Sequence, residues 1–491
     1  MSIHTPKRTL IRGAAWQVGT RWVIKGIGFF NTVIMARVLL PADYGIVAMA
    51  MLVVGLIQAL MDFGATTALM RKAEISQDEI DSAWTLRTIQ SLAVGLILVI
   101  VAAPAAHYFT EVRVEYVLWI LAGCVALSGV GNIGVNLAHK EFNFALNFRI
   151  QVISKILSVL ATIGAGMLLR DYRGLVIGLA TGYISAFVMT YTMHPYRPRW
   201  NTSKIPEIWA LTKWLMLASV GGFILRKGDE LLAGRIGTTA DFGAYNVGAD
   251  LGQLPTAEVG PALLNAFLPV LATMRATAEE INSVVIKTAS AVNTITFPLG
   301  IGFAAIATPA TSAILGPAWS SAAQYVAPFA VVGALQNIQN PYRTLLTMRG
   351  QTKVQSHAVW LEFVVFLIAA AGLVPGSFLL GLVWARGIGS LASVIYTLLA
   401  TRKYCGLALQ PSAAALSRPL VGAVLMYFAV TTIISRVDGD LFQLAAGIGC
   451  GVLVYTTWSF ATWLAVGKPS GLESIVMDFL QDKFRTTSGR P

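Results

Sequence analysis

Apolar residues fill this chain in runs of about twenty, each long enough to cross roughly 30 Å of hydrocarbon as a helix, and short polar breaks separate them. The pattern predicts about fourteen spans, at 15–36, 44–70, 83–105, 115–138, 148–169, 173–193, 208–234, 243–270, 285–306, 318–342, 356–374, 377–400, 417–435 and 441–465. Alternating segments of about ten residues, the mark of a membrane barrel, are absent. The loops are short on both faces, the longest internal ones falling near 194–207 and 271–284, so any chemistry belongs to the helices themselves. The run after Lys7, Arg8 and Arg12 lacks a compact apolar core and a cleavage site and contains Arg21 and Lys25, so it reads as a retained first span. In the tail from Lys468, Ile475, Val476, Phe479, Leu480 and Phe484 recur at helical spacing, which fits a plain amphipathic end.

Composition agrees. Of 491 residues, 56% are hydrophobic and 12% charged, and mean hydropathy is +0.67, so the bilayer has to be the solvent. A formal charge of +12 would suggest nucleic acid in a soluble protein, but the basic residues sit in short loops between apolar runs. With both termini in the cytoplasm, roughly 23 Lys and Arg face inward against about 6 outward; the reverse orientation inverts that ratio. The expectation is a multi-pass membrane protein with both termini cytoplasmic and no nucleic-acid partner. Cys124, Cys405, Cys450 and the five histidines are scattered, so no disulfide framework, metal site or cofactor is expected. No phosphate-binding loop argues for ATP hydrolysis. Asp438-Gly439-Asp440 matches a D-x-D pattern but lies in a tiny loop predicted to face outward, and it reads as a solvated turn.

The chain also repeats itself. Residues 36–45 read ARVLLPADYG and residues 233–243 read AGRIGTTADFG, aligning Arg37 with Arg235 and Asp43-Tyr44-Gly45 with Asp241-Phe242-Gly243. The same offset of about 198 residues aligns Trp16 with Trp214, so spans 1–2 and 7–8 read as copies. An offset of six spans is even, which makes the halves parallel repeats about an axis along the membrane normal.

The stretch MARVLLPADYGIVAMAMLVVGLIQALMDFGATTALMRK, residues 35–72, resembles the N-terminal signature of polysaccharide-export flippases. ALSGVGNIGVNLAHKEFNF (126–144) and DELLAGRIGTTADFGAYNVGADLGQLP (229–255) look like later segments of the same family, in order. On these motifs the chain is identified as a member of the Wzx-type oligosaccharide flippase group, within the superfamily that also holds multidrug exporters and the peptidoglycan-precursor flippase. The resemblance implies an all-α fold of two six-helix lobes, residues 1–200 and 201–410, with two further helices and a cytoplasmic tail over 411–491. It implies a cavity lined mainly by spans 1, 2, 7 and 8. It also implies a cargo, an undecaprenyl-diphosphate-linked oligosaccharide moved from the cytoplasmic to the periplasmic leaflet, with membrane lipids around it and a polysaccharide polymerase and export machinery as candidate partners.

Ionisable residues inside the membrane are the functional suspects, because each costs several kcal/mol near the bilayer centre unless it faces protein or water. Arg21 and Lys25 sit at i,i+4 on span 1 with no acidic residue within helical reach on that span. Cations there would receive a diphosphate, whose unpaired transfer into low dielectric costs tens of kcal/mol by Born reasoning; the bland alternative is snorkelling to the surface. Span 7 carries Arg226, Lys227, Asp229 and Glu230, which read either as a self-neutralised structural cluster or as ligand and gate residues. Asp62, Asp229, Glu230, Asp250 and Glu258 are candidates for coupling to a proton or sodium ion, and the sequence does not choose among them or between the ions. Pro255 and Pro261 should kink span 8. Arg87, Lys155, Glu362 and Arg386 read as structural: the first two reach the cytoplasmic ends of their helices, and the last two pair with each other. Two other functional classes make different demands on the chain. A cation-coupled multidrug exporter expects an apolar or acidic cavity, whereas span 1 is basic, and a membrane polymerase or ligase expects a large extracytoplasmic loop.

Overall fold

The computed structural model describes residues 5–61, 76–135, 144–257 and 277–467. Among them every regular element is helical: α1 (Thr5–Ala36), α2 (Pro41–Met61), α3 (Gln77–Phe109), α4 (Arg113–Val130), α5 (Phe144–Leu169), α6 (Arg173–Thr192), α7 (Ile205–Ile236), α8 (Thr239–Ala257), α9 (Ala278–Ala305), α10 (Ala307–Leu315), α11 (Ser320–Ile338), α12 (Asn340–Met348), α13 (Thr352–Cys405), α14 (Leu409–Ile434) and α15 (Asp440–Ala465). Nine helices among the described residues are long and apolar enough to span a membrane. α1, α7 and α8 are not among them. α1 and α7 are the helices into which the sequence puts Arg21, Lys25 and the Arg226–Glu230 cluster, and those charges lower their hydropathy.

Two expected spans merge into α13. A straight helix of its 54 residues would run about 80 Å, far beyond the bilayer. Its backbone leaves helical geometry at Phe378 (φ 50°, ψ −135°), shortly after Pro375, and the chain folds back on itself. A Cβ on Gly381 would lie 2.8 Å from the Leu373 carbonyl carbon, and one on Gly389 would lie 2.7 Å from the Glu362 carbonyl oxygen. These pairings are those of an antiparallel helical hairpin, the predicted spans 11 and 12.

The chain divides into two compact units, the first ending at Gly243 and the second starting at Ala244. In the first, α3 pairs with α4 and α5 with α6, α1 lies along α5, and α7 packs on α2 and α3. Packing thus assigns α7 to the first unit, although the duplication counts it as the first span of the second copy. In the second unit, α9 packs on α11 and α14, and α14 on α15, around buried Phe297, Tyr342, Leu345 and Met426.

One end of the first unit is tied together by the repeated motif. Asp43 and Asp241 each occupy the third position of a helix and accept a hydrogen bond from the residue that caps it, Leu40 N at 3.0 Å and Thr238 N at 3.1 Å. Thr238 Oγ1 also accepts from Asp241 N at 3.2 Å, completing a capping box on α8. The two helix starts abut reciprocally. A Cβ on Gly45 would overlap the Thr239 carbonyl oxygen, and one on Gly243 would overlap that of Pro41. Asp43 further accepts from Tyr172 N at 3.1 Å, and Glu111 from Thr239 Oγ1 at 2.9 Å, so all four turns at this end are linked.

At the opposite end, the predicted long loop before α7 is strapped to α3. Buried Asp81 accepts from Tyr196 Oη at 2.5 Å and from Arg199 N at 2.9 Å. Asn201 N donates to Thr85 Oγ1 at 3.0 Å and Lys204 N to Ser82 Oγ at 3.2 Å.

Candidate functional site

Arg21 and Lys25 project from the middle of α1, and both are exposed. Their helix is held against α5 by an edge-on contact of Trp16 with Phe148, ring centroids 5.1 Å apart. It is held to α2 by Tyr44 Oη, which donates to the Thr32 carbonyl at 3.4 Å. Among the described residues no carboxylate pairs with Arg21. The cations that the sequence singled out are therefore on the surface of the first unit, where an anion can reach them.

The α7 cluster divides by burial. Asp229 and Glu230 are buried, at 3% and 4% exposure, on a helix that packs on α2 and α3. Lys227 Nζ reaches forward one turn and bonds Glu230 Oε1. A half-exposed lysine held by a buried carboxylate makes this pair a neutralised element of the helix interface. Arg226 is exposed and lies over Gly222. Asp250 is exposed on α8, in the second unit, and α8 runs through Pro255. Asp62, Glu258 and Pro261 lie outside the described residues, as does the tail from Lys468.

Three polar assemblies escaped the sequence reading. In the second unit Arg343 Nη2 contacts Glu362 Oε2 at 3.3 Å and donates to Ser393 Oγ at 3.0 Å. Ser390 Oγ donates to Glu362 Oε1 at 2.9 Å, and Ser393 Oγ to Gln339 Oε1 at 3.0 Å. Arg343 thus holds Glu362, a contact that residue spacing did not indicate. The available signal was Asn340-Pro341, which restarts a short helix, α12, and carries Arg343 back into the core. The second assembly surrounds Glu111, whose carboxylate takes Arg113 Nε at 2.8 Å and Nη2 at 2.7 Å, with Arg113 stacked over Tyr172. Those hydrogen bonds from Arg113 hold the Glu111 carboxyl below its ordinary value. The third is the Asp81 strap, where burial first, and Asp81 second, push the Tyr196 phenol above its usual range and keep it a donor.

Two residues read as structural behave differently from each other. Arg87 Nη2 donates to the Ser128 carbonyl at 2.7 Å, a cation capping the last turn of α4. Lys155 does not reach for the nearer end of its helix; its ammonium lies beside Gly28 of α1.

These features define a multi-pass, all-helical membrane protein whose first helix presents cations. The chain belongs to the polysaccharide biosynthesis protein family, whose pattern it matches over residues 34–324. It is 24% identical over 460 residues to the succinoglycan biosynthesis transport protein ExoT of Rhizobium meliloti (strain 1021), covering 91% of this chain and 92% of that one. It is 22% identical over 356 residues to the lipopolysaccharide biosynthesis protein WzxC of Escherichia coli (strain K12), covering 70% of this chain and 71% of that one. In fold it is similar to the lipid II flippase MurJ in an inward closed conformation, with a TM-score of 0.73 and 14% identity over 92% of this chain and 99% of that one. An inward-facing multidrug resistance MATE family transporter of the MOP superfamily follows at a TM-score of 0.59 and 12% identity, covering 77% of this chain and 94% of that one.

Proposed function

We propose that this protein is a secondary transporter that flips an undecaprenyl-diphosphate-linked oligosaccharide repeat unit from the cytoplasmic to the periplasmic leaflet of the inner membrane, for exopolysaccharide, capsule or O-antigen assembly. The observation that carries the reading is the exposed cationic stripe of α1, Arg21 with Lys25, in a chain whose relatives are named as polysaccharide and lipopolysaccharide biosynthesis proteins. A diphosphate crossing low dielectric needs compensating charge along its path. An Arg fork matches phosphate oxygens, and a lysine adds a compact point charge. Arg226, exposed on α7, is the next candidate contact, with Lys227 bound to Glu230 and available only after that pair opens.

In this reading both termini are cytoplasmic, as the Lys and Arg bias supports. The end joined by Asp43, Glu111, Gly45 and Gly243 then faces the periplasm, and the Asp81 strap faces the cytoplasm. Coupling by a proton or sodium ion falls to a carboxylate among Asp62, Asp229, Glu230, Asp250 and Glu258. The duplicated lobes divide at about residue 200, with residues 411–491 appended. The MATE likeness concerns the fold alone; a cationic stripe suits an anionic cargo better than cationic drugs.

The test is complementation in a strain lacking the chromosomal copy, read as surface polymer and as lipid-linked units retained in the cytoplasmic leaflet. Lys25→Ala and Arg21→Ala should each lower export at least about tenfold and raise retained lipid, with Lys25→Arg retaining most of it. Unchanged export in both alanine variants would remove the stripe from the mechanism.

A further inference from the structure

A third cation belongs to the stripe on α1, and it comes from another helix. Trp16 lies beside Phe148, and Met35 lies against Gly166, so α1 and α5 run side by side in parallel. In that register the Cα of Lys155 is level with Val23 and Ile24, near the middle of both helices. From there its side chain runs away from the start of α5. Its Cε and Nζ stand 3.7 and 3.9 Å from where a Cβ on Gly28 would be. Gly28 follows Arg21 by seven residues and Lys25 by three, so all three share one side of α1.

Lys155 is half-buried, and among the described residues it has no hydrogen-bond or ion-pair partner. A lysine at that depth is costly unless an anion or water meets it. Snorkelling does not account for it, because the side chain points away from the nearer helix end. Gly28 leaves the space beside the ammonium clear, whereas a leucine there would have to displace it.

We infer that Lys155 is an anion-binding residue, placed one turn beyond Lys25 along α1 to receive the diphosphate of an isoprenoid-linked cargo after Arg21 and Lys25. This inference rests on the proposed flippase function. It specifies a path on which the anion passes from α1 alone to a position between α1 and α5. The same cation could meet any phosphate-bearing lipid, so the test separates the sources.

The full-length protein, in lipid nanodiscs, is titrated with undecaprenyl diphosphate, and in parallel arms with inorganic pyrophosphate and with nanodiscs enriched in phosphatidylglycerol. Wild type should bind the isoprenoid diphosphate and keep most of that affinity as phosphatidylglycerol rises. Lys155→Met should weaken binding at least about tenfold, Lys155→Arg less than about threefold, and Gly28→Leu should resemble Lys155→Met. Thermal unfolding of Lys155→Met should stay level or rise, because a costly unpaired charge is removed; a structural lysine would give a fall with binding unchanged. Binding by Lys155→Met within twofold of wild type overturns the inference and leaves the flippase reading intact. Displacement of the isoprenoid diphosphate by phosphatidylglycerol at equal density also overturns it, assigning Lys155 to bulk lipid. Wild type that binds no isoprenoid diphosphate overturns both readings.

Discussion

At the residue scale, Glu111 shows how charge placed in a turn becomes stability. Its carboxylate joins Arg113 at the start of α4 to Thr239 at the start of α8, and these hydrogen bonds favour the ionised form. Its folded pKa is therefore lower than its unfolded one, near the ordinary 4.5. The stability it contributes is present above that value and is lost as pH falls through the folded pKa. The unfolding temperature of wild type should drop as pH falls below about 4.5, and Glu111→Gln should be less stable at pH 7 by about 1–2 kcal/mol with a flatter acid limb. An acid limb identical in the two proteins would refute the assignment. Individual charges were partly legible in the sequence. Arg21 and Lys25 stood out because no acid lies within a turn of them, a purely local fact. Lys155 and Arg343 did not, because what distinguishes them is the neighbouring helix: Gly28 beside one, Glu362 and Ser393 beside the other. Residue spacing along one chain carries no information about such neighbours.

At the scale of elements, the repeated Asp-aromatic-Gly motif was legible as a duplication, while its physical purpose was not. The aspartates cap α2 and α8 at the same position, and the glycines let the two helix starts abut backbone to backbone. Gly45→Ala or Gly243→Ala places a methyl on a carbonyl oxygen, and backbone there cannot rotate away. Each should cost about 1–3 kcal/mol in thermal stability. Each should also make a cysteine introduced at buried Leu39 react faster with a membrane-impermeant maleimide; an unchanged labelling rate would show that the contact does not close that end. On α7, the i,i+3 spacing left Lys227–Glu230 open between ligand site and structural pair, and burial of Glu230 favours the second. Lys227→Gln should destabilise by about 1–3 kcal/mol, less than for a fully buried pair because Lys227 is 38% exposed. Adding Glu230→Gln should recover most of that loss in chemical unfolding. A double variant as unstable as the sum of the singles would show that the two do not act as a pair.

At the scale of the whole molecule, apolar run length was enough to give the helical class and the span order, because the bilayer imposes one length on every crossing. Span 7 escaped: counted by duplication it opens the second half, and counted by packing it belongs to the first unit, ending at Gly243. The strap helps explain why. Asp81 fixes Tyr196 and Arg199, Ser82 fixes Lys204, and α7 starts one residue later, so the connector is part of the α3 surface. Removing the Asp81 carboxylate strands the Tyr196 hydroxyl and the Arg199 amide together, a loss of about 2–4 kcal/mol confined to the strap. Arg199 then becomes available to trypsin, which needs a locally extended, released backbone, while Pro198 keeps the bond after Arg197 resistant. Wild-type protein in sealed inverted vesicles should resist cleavage there, and Asp81→Ala should be cut between α6 and α7 into two membrane-bound fragments. In vesicles of native orientation neither protein should be cut at that point, since the strap lies on the cytoplasmic side in the proposed topology. Cutting of Asp81→Ala only in native-orientation vesicles would invert the topology, and with it the direction in which the α1 stripe meets its cargo; resistance on both sides would mean that Ser82, Thr85 and Asn201 hold the strap without Asp81.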